Sequence, residues 1–356
     1  MGASRIPAEV TPVRRTLVSI HSLLALALAM PAAAQAPEVV VEAPTPTAVL
    51  PAPAADTPVF RMELDVTHVT ISVRDDDDRL VTNLTKDDFV VTEDGKPQDV
   101  LVFGNALDGT TIEGEGSAGA GGRRGRDVLA LDLGLLLDTS ESMLKELRLS
   151  KQAAVRFLDT IPRARELFTI FFDEEIRLSR YDSENQQGLF ERIHELKGGG
   201  NTALFDAIAT YISRVHGAPG RKTLVLFSDG EDSRSTLGLG ECIDVVRSSG
   251  VTIYPIAFSG GFSAGSSRAL KARVFLQQIA EMTGGQVFSP HSSRELAAIF
   301  QKILDELAAQ YVLGFVSSNT AQDGRFRKLK VELKRPGLKV RHRHGYYAPL
   351  PTTADK

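Results

Sequence analysis

The chain has 356 residues, enough for two ordinary domains, and its 42% hydrophobic and 24% charged residues are those of a globular protein. A net charge of −4 argues against binding driven by nucleic-acid phosphates, and with no tryptophan and only 6% aromatics there is little material for stacking sites. One cysteine, Cys242, excludes an internal disulfide; it lies in the helical pattern Glu241–Val246 and reads as a small buried hydrophobe.

At the N-terminus, Arg14 and Arg15 precede the apolar run Leu17–Met30, which is short for a membrane span, and Pro31-Ala-Ala-Ala34 follows. This order marks residues 1–34 as a signal peptide cleaved after Ala34, which places the mature chain in the periplasm or outside the cell. An uncleaved anchor is the alternative. Residues 35–58 are rich in Pro and Ala and form an extended linker.

Residues 59–107 read as an N-terminal β module. Val66–Val73 is rich in β-branched residues, Asp75–Asp78 is a turn and Leu80–Thr82 resumes the strand. Phe89–Thr92 and Val100–Phe103, around the turn Glu93-Asp-Gly95, read as a hairpin. The four aspartates lack the spacing, the Gly and the closing Glu of a calcium loop. Residues 108–126 are a glycine-rich flexible linker.

Residues 127–308 alternate apolar strands with amphipathic helices. The strands are 128–138, 167–173, 223–229 and 251–259, with an antiparallel edge over 175–180; the helices are 143–160, 183–196, 203–215, 237–249, 268–282 and 292–309. This alternation predicts an α/β fold: a doubly wound, mostly parallel sheet covered on both faces.

Residues 309–348 return to strands (311–316, 326–334 and 338–344, with Pro336-Gly337 as a hairpin turn), before a tail at 349–356. Residues 56–99 carry 12 acidic and 5 basic side chains, whereas residues 321–345 carry 9 basic and 2 acidic. Opposite charges predict that the two β segments pair into one small sandwich-like domain with the α/β domain inserted in it. A basic patch for an anionic surface is the other reading.

The most informative stretch is Asp138-Thr-Ser-Glu-Ser142. It follows a buried strand, at the edge where open α/β sheets place their ligands. One carboxylate and two hydroxyls at alternate positions suit a hard divalent cation, which takes about six oxygens. Two more predicted loops open at the same edge. Gly198-Gly-Gly-Asn-Thr202 brings Thr202, and Phe227-Ser-Asp-Gly230 brings Asp229. Helix capping explains single members of this set but not their number or convergence.

Asp138, Ser140, Ser142, Thr202 and Asp229 together resemble the metal-ion-dependent adhesion site of von Willebrand factor type A domains. That pattern is Asp-x-Ser-x-Ser, a distant Thr after glycines, and an Asp in a Thr/Ser-Asp-Gly turn, and every position is filled. The resemblance implies Mg²⁺, with Mn²⁺ or Ca²⁺ as substitutes. The serines would touch it directly, the threonine directly or through water, and the aspartates through water. An acidic side chain of a protein partner would complete the shell. The flanks resemble those of exported bacterial von Willebrand A-related proteins, in Leu84-Thr-Lys-Asp-Asp-Phe89, Glu93-Asp-Gly-Lys96, Tyr311-Val-Leu-Gly-Phe315 and Val340–Tyr347; the likeness spans about residues 59–348.

Other patterns carry less. Gly261-Phe-Ser-Ala-Gly265 matches a hydrolase nucleophile pattern but lies in a Gly/Ser-rich loop rather than a strand-to-helix turn. Gly217–Thr223 has the wrong glycine spacing for a phosphate loop and precedes a strand. His342 and His344 are two histidines on a basic strand, too few for a metal. No histidine accompanies the three loops, so a metal-dependent hydrolase lacks its base. The expectation is therefore a non-enzymatic, adhesion-type protein that binds a protein ligand, with neither nucleic acid nor a membrane span in the mature chain. An envelope scaffold with a structural metal is the runner-up.

Overall fold

The structure, a computed structural model, describes residues 66–107, 110–113, 129–161, 164–181, 186–258 and 266–350. Residues 1–34, read above as a signal peptide, the Pro/Ala-rich segment, nearly all of the glycine-rich segment, the Gly261–Gly265 pattern and residues 351–356 lie outside the described residues.

Five strands come first: β1 (Val66–Asp75), β2 (Phe89–Glu93), β3 (Lys96–Gln98), β4 (Val100–Asn105) and β5 (Thr110–Glu113). The chain then enters an α/β domain: β6 (Leu131–Asp138), α1 (Leu147–Thr160), β7 (Glu166–Phe172), β8 (Ile176–Tyr181), α2 (Gln186–Glu195), α3 (Leu204–Val215), β9 (Arg221–Ser228), α4 (Leu239–Ser249), β10 (Val251–Ala257), α5 (Ser267–Thr283) and α6 (Ser293–Ala308). It returns through β11 (Tyr311–Val316), β12 (Phe326–Leu333), β13 (Leu338–His342) and β14 (Gly345–Tyr347).

The first and last groups interleave. One sheet has the order β13-β1-β11-β4-β5 and the other β14-β12-β2-β3, so each mixes strands from both ends of the described chain. Ile71, Val91, Leu313, Phe315 and Val331 fill the space between them, with Phe89, Phe103 and Tyr311 packed ring against ring at 5.4–6.1 Å. The α/β domain is therefore inserted in a small β-sandwich. The charge asymmetry is met in part, by Arg335 on Asp88 at 2.8 Å and Lys339 near Asp76 at 3.6 Å.

Two strand pairings differ from expectation. Phe89–Thr92 pairs with Lys96–Gln98, not with Val100–Phe103. The two-residue turn Asp94-Gly95 has positive φ at both positions (47° and 82°), the conformation that closes a hairpin at once. Pro97 has no N–H for a further ladder, so β3 stays a short edge and β4 crosses to the other sheet, against β11. Pro336-Gly337 likewise closes no hairpin. The free edge of β12 is taken by β14, and β13 crosses to pair with β1, Val73 opposite Val340. Leu80–Thr82 makes only a single bridge, Leu80 with Arg74.

The central sheet has the order β10-β9-β6-β7-β8, parallel except for the antiparallel edge β8. In β6, Leu131, Leu133, Leu135 and Leu137 face α1, α2 and α6, while Leu136 faces the layer of α3, α4 and α5. A strand buried on both faces reads as a continuous apolar run, which is why β6 shows no alternation. Among the described residues no helix is long and apolar enough to cross a membrane.

Glu306, at the end of α6, ties the insertion to the sandwich. Buried to 1% exposure, it accepts hydrogen bonds from Ser72 Oγ (3.0 Å), Arg74 Nη2 (3.0 Å), Tyr254 OH (2.7 Å) and Arg341 Nη2.

Candidate metal site

The three loops meet at the carboxyl edge of the central sheet. β6 ends in Asp138, which is fully buried between its neighbours β7 and β9. The chain then turns through Ser140 into a short 3-10 turn, Glu141–Met143, and α1 begins only at Leu147, four residues later than the sequence pattern predicts. The turn presents Ser142 beside Ser140, their hydroxyl oxygens 3.2 Å apart. The glycine loop lies against it: the Glu141 N–H donates to Gly200 O (3.1 Å) and the Gly199 N–H to Thr139 O (2.8 Å). Thr202 precedes α3 without capping it, since the N-cap is Ala203. Its carbonyl accepts from the Ser233 and Arg234 N–H groups (2.9 Å each), which locks the second loop to the third.

Asp138 Oδ1 accepts from the Ser140 N–H (3.0 Å) and Ser140 Oγ (2.5 Å), and Oδ2 accepts from Ser228 Oγ (2.7 Å). Burial pushes the Asp138 carboxyl up to about 7 against these bonds, and neighbouring Asp229 adds to the rise. Asp229, at 9% exposure, uses Oδ1 to accept the Glu231 N–H (3.0 Å). Its Oδ2 is buried with no hydrogen-bond partner. Two buried carboxylates side by side, one with an orphaned oxygen, are costly unless a cation or water meets them.

Ser142 and Thr202 line an open pocket of about 420 Å³ with Glu141, Gly200, Asn201, Glu231, Ser233 and Arg268. All five predicted residues thus belong to one loop cluster. Asp138, Ser140 and Ser142 form a contiguous set, Asp229 stands beside Asp138, and Thr202 shares the pocket wall with Ser142. Two carboxylates and three hydroxyls are the donors a hard divalent cation takes, so the residues present fit such an ion.

Sequence reasoning missed three neighbours. Ser228 bridges two loops: it donates to Asp138 and accepts the Gly230 N–H (2.9 Å). Its signal was the Ser-Asp-Gly turn already read for Asp229. Glu231 pairs with Arg268 at 3.1 Å on the pocket wall, and burial and Asp229 push its carboxyl up. Nothing in the sequence joins those two positions. Asp173 and Asp232 acquire bracing roles. Asp173 accepts Thr139 Oγ1 (3.0 Å) and is bound by Arg177 (2.5 Å). Asp232 accepts Ser235 Oγ (2.5 Å) and the Phe205 N–H at the start of α3.

Other motifs have structural duties. Cys242 is buried, and burial pushes its thiol up to about 12, so it is inert at neutral pH. His342 Nε2 accepts the Val331 N–H (3.1 Å), and His344 lies beyond the end of β13.

Residues 132–302 match the von Willebrand factor type A domain family. A UPF0353 protein of Nocardia farcinica is 21% identical over 221 residues, 53% of this chain, and the match spans 65% of that relative's length. Among solved structures, an aerotolerance-related membrane protein from Bacteroides fragilis is similar at 16% identity and TM-score 0.39, covering 50% of this chain and 98% of that one. A von Willebrand factor type A protein from Catenulispora acidiphila is similar at 12% identity and TM-score 0.42, covering 82% of this chain and 75% of that one.

Proposed function

We propose that this chain, whose residues 132–302 match the von Willebrand factor type A domain family, is an exported adhesion-type binding protein that engages a protein ligand through a divalent cation. Asp138, Ser140, Ser142, Thr202 and Asp229 would hold the ion, Mg²⁺ by preference and Mn²⁺ or Ca²⁺ as substitutes. When bound, it supplies a position that a partner's carboxylate oxygen fills. The observation that carries the reading is the orphaned Asp229 Oδ2 beside the buried Asp138 carboxyl, in the loop cluster whose Ser142 and Thr202 line an open pocket.

The chain's own residues do the preparatory work. Ser228 and the Ser140 N–H orient Asp138, and Asp173 fixes the first loop through Thr139. Ser233 fixes Thr202 by accepting its N–H at 3.0 Å. A site held this way loses little freedom on loading. Among the described residues no histidine lines the pocket, and this favours binding over hydrolysis. Export rests on Arg14, Arg15 and the run Leu17–Met30.

A pull-down from envelope extract, with Mg²⁺ against EDTA, tests the reading when run beside melting curves in both buffers. Capture that needs Mg²⁺ and fails in Asp138→Ala is the expected result. A large Mg²⁺-dependent rise in Tm with no metal-dependent capture would instead make the protein an envelope scaffold.

A further inference from the structure

The turn that carries Ser142 has two sides. Toward Thr202 lies the pocket described above. On the other side lies a second pocket of about 370 Å³, lined by Leu144, Leu147, Arg148, Lys151, Gln152 and His194. Both adjoin the same glycine loop. Leu144 and Leu147 fold down on Gly198, where an added Cβ would stand 2.6 Å and 3.0 Å from their Cδ2 atoms, and Gly200 of the same loop lines the first pocket.

The two pockets differ in chemistry. The first is lined by the carboxylates of Glu141 and Glu231, the latter paired with Arg268; the second is lined by no acidic side chain, by Arg148, Lys151 and His194, and by two leucines. Its wall is rigid, because Lys151 Nζ donates to the carbonyls of His194 (3.0 Å) and Leu196 and so pins α1 to the end of α2. Arg148 and His194 are exposed, and their side chains have no hydrogen-bond or ion-pair partner among the described residues. Leu144 is 50% exposed. A single exposed leucine is ordinary. Here it forms the ridge between a carboxylate-seeking site and a cationic pocket.

We infer that the partner surface runs from the metal pocket over Leu144 into the Arg148 pocket, and that it fits an acidic polypeptide segment with two anchoring carboxylates. The first carboxylate takes the metal pocket. The second meets Arg148 and His194, with apolar contact to Leu144 and Leu147 between them. Leu144, two positions after Ser142, stands between the two pockets, and an extended segment, rising ~3.3 Å per residue, is the shape that reaches from one to the other. Charge complementarity selects this occupant, since a basic or neutral segment would leave the free guanidinium of Arg148 without a partner. The inference rests on the metal-dependent reading of the first pocket.

Fluorescence anisotropy with two labelled synthetic peptides tests it. One carries a single Asp in a Gly/Ser/Leu background; the other adds a Glu three positions to either side. Both are titrated with the full chain in Mg²⁺ and in EDTA, at low salt. The wild type should bind the multi-acid peptide about three- to tenfold more tightly than the single-acid peptide, and neither in EDTA. Arg148→Glu, an exposed change on α1, should keep the single-acid affinity and lose the preference. Its unchanged Tm and retained Mg²⁺-dependent binding show that it is folded. Equal affinities in the wild type, or a preference that survives Arg148→Glu, would overturn the second anchor while the metal reading stands. If neither peptide shows Mg²⁺-dependent binding to the wild type, the metal reading fails and the inference with it.

Discussion

Ser228 Oγ donates to Asp138 Oδ2 at 2.7 Å, joining the ends of β9 and β6 beneath the candidate metal pocket. The same oxygen accepts the Gly230 N–H. Ser228→Ala therefore strips one buried carboxylate oxygen and one buried N–H of their partners. In EDTA the variant should lose about 1–3 kcal/mol of stability, read by urea denaturation. Its Mg²⁺ affinity should fall about 10–100-fold, the range for losing a group that orients a ligand. An unchanged affinity would mean that Asp138 needs no such orientation.

Glu306 is the joint between the sandwich and the inserted domain. Glu306→Gln keeps the shape but leaves Arg341 without a carboxylate and Arg74 with only the exposed Asp78, 3.7 Å away. The expected cost is about 3 kcal/mol, at the low end for a buried pair because the Arg341 side chain is 24% exposed. Guanidinium denaturation reads it. A change under about 0.5 kcal/mol would make the cluster no more than a surface bridge.

His68 makes the fold acid-sensitive. Burial lowers its pKa, and Arg343 and Lys222 lower it further. The unfolded chain takes up a proton near pH 6.5 that folded His68 refuses, so stability falls as pH drops below about 6.5, by at most ~1.4 kcal/mol per pH unit. Asp138 acts oppositely in metal-free protein. Its carboxyl, raised to about 7, costs stability as pH rises from about 4 to 7. The readout is therefore the difference between His68→Gln and wild type across pH 5–7.5. The variant should lose less stability on acidification.

Gly134 lies in the middle of β6, where a Cβ would stand 2.4 Å from the ring of Tyr211. That ring is fully buried, and its hydroxyl donates to the carbonyls of Asp132 and Thr223. Gly134→Ala should destabilise by about 1–3 kcal/mol through overpacking, and Tyr211→Leu in the same chain should recover part of the loss. Additive losses would contradict the steric cause.

Local pattern carried the architecture of the inserted domain. Continuous apolar runs such as Leu133–Leu137 and the helix periods between them are properties of short windows, and they yield the parallel sheet directly. Charge asymmetry pointed to the shared sandwich. Which sheet each strand joins was not legible, because β4 and β13 are diverted by edges already occupied elsewhere in space. The five candidate ligands were readable because each stands beside a strand end or helix start. Ser228 was hidden inside a motif read for its aspartate. Glu306 and Arg268 carry no local signal, since their partners lie far away in sequence.

Isothermal titration of Mg²⁺ into wild-type protein and Asp138→Ala tests the central claim most directly, with circular dichroism as the check on folding. A site built from Asp138, Ser140, Ser142, Thr202 and Asp229 gives one binding event per chain in the wild type and none in the folded variant. Equal Mg²⁺ affinity in a folded Asp138→Ala would contradict it.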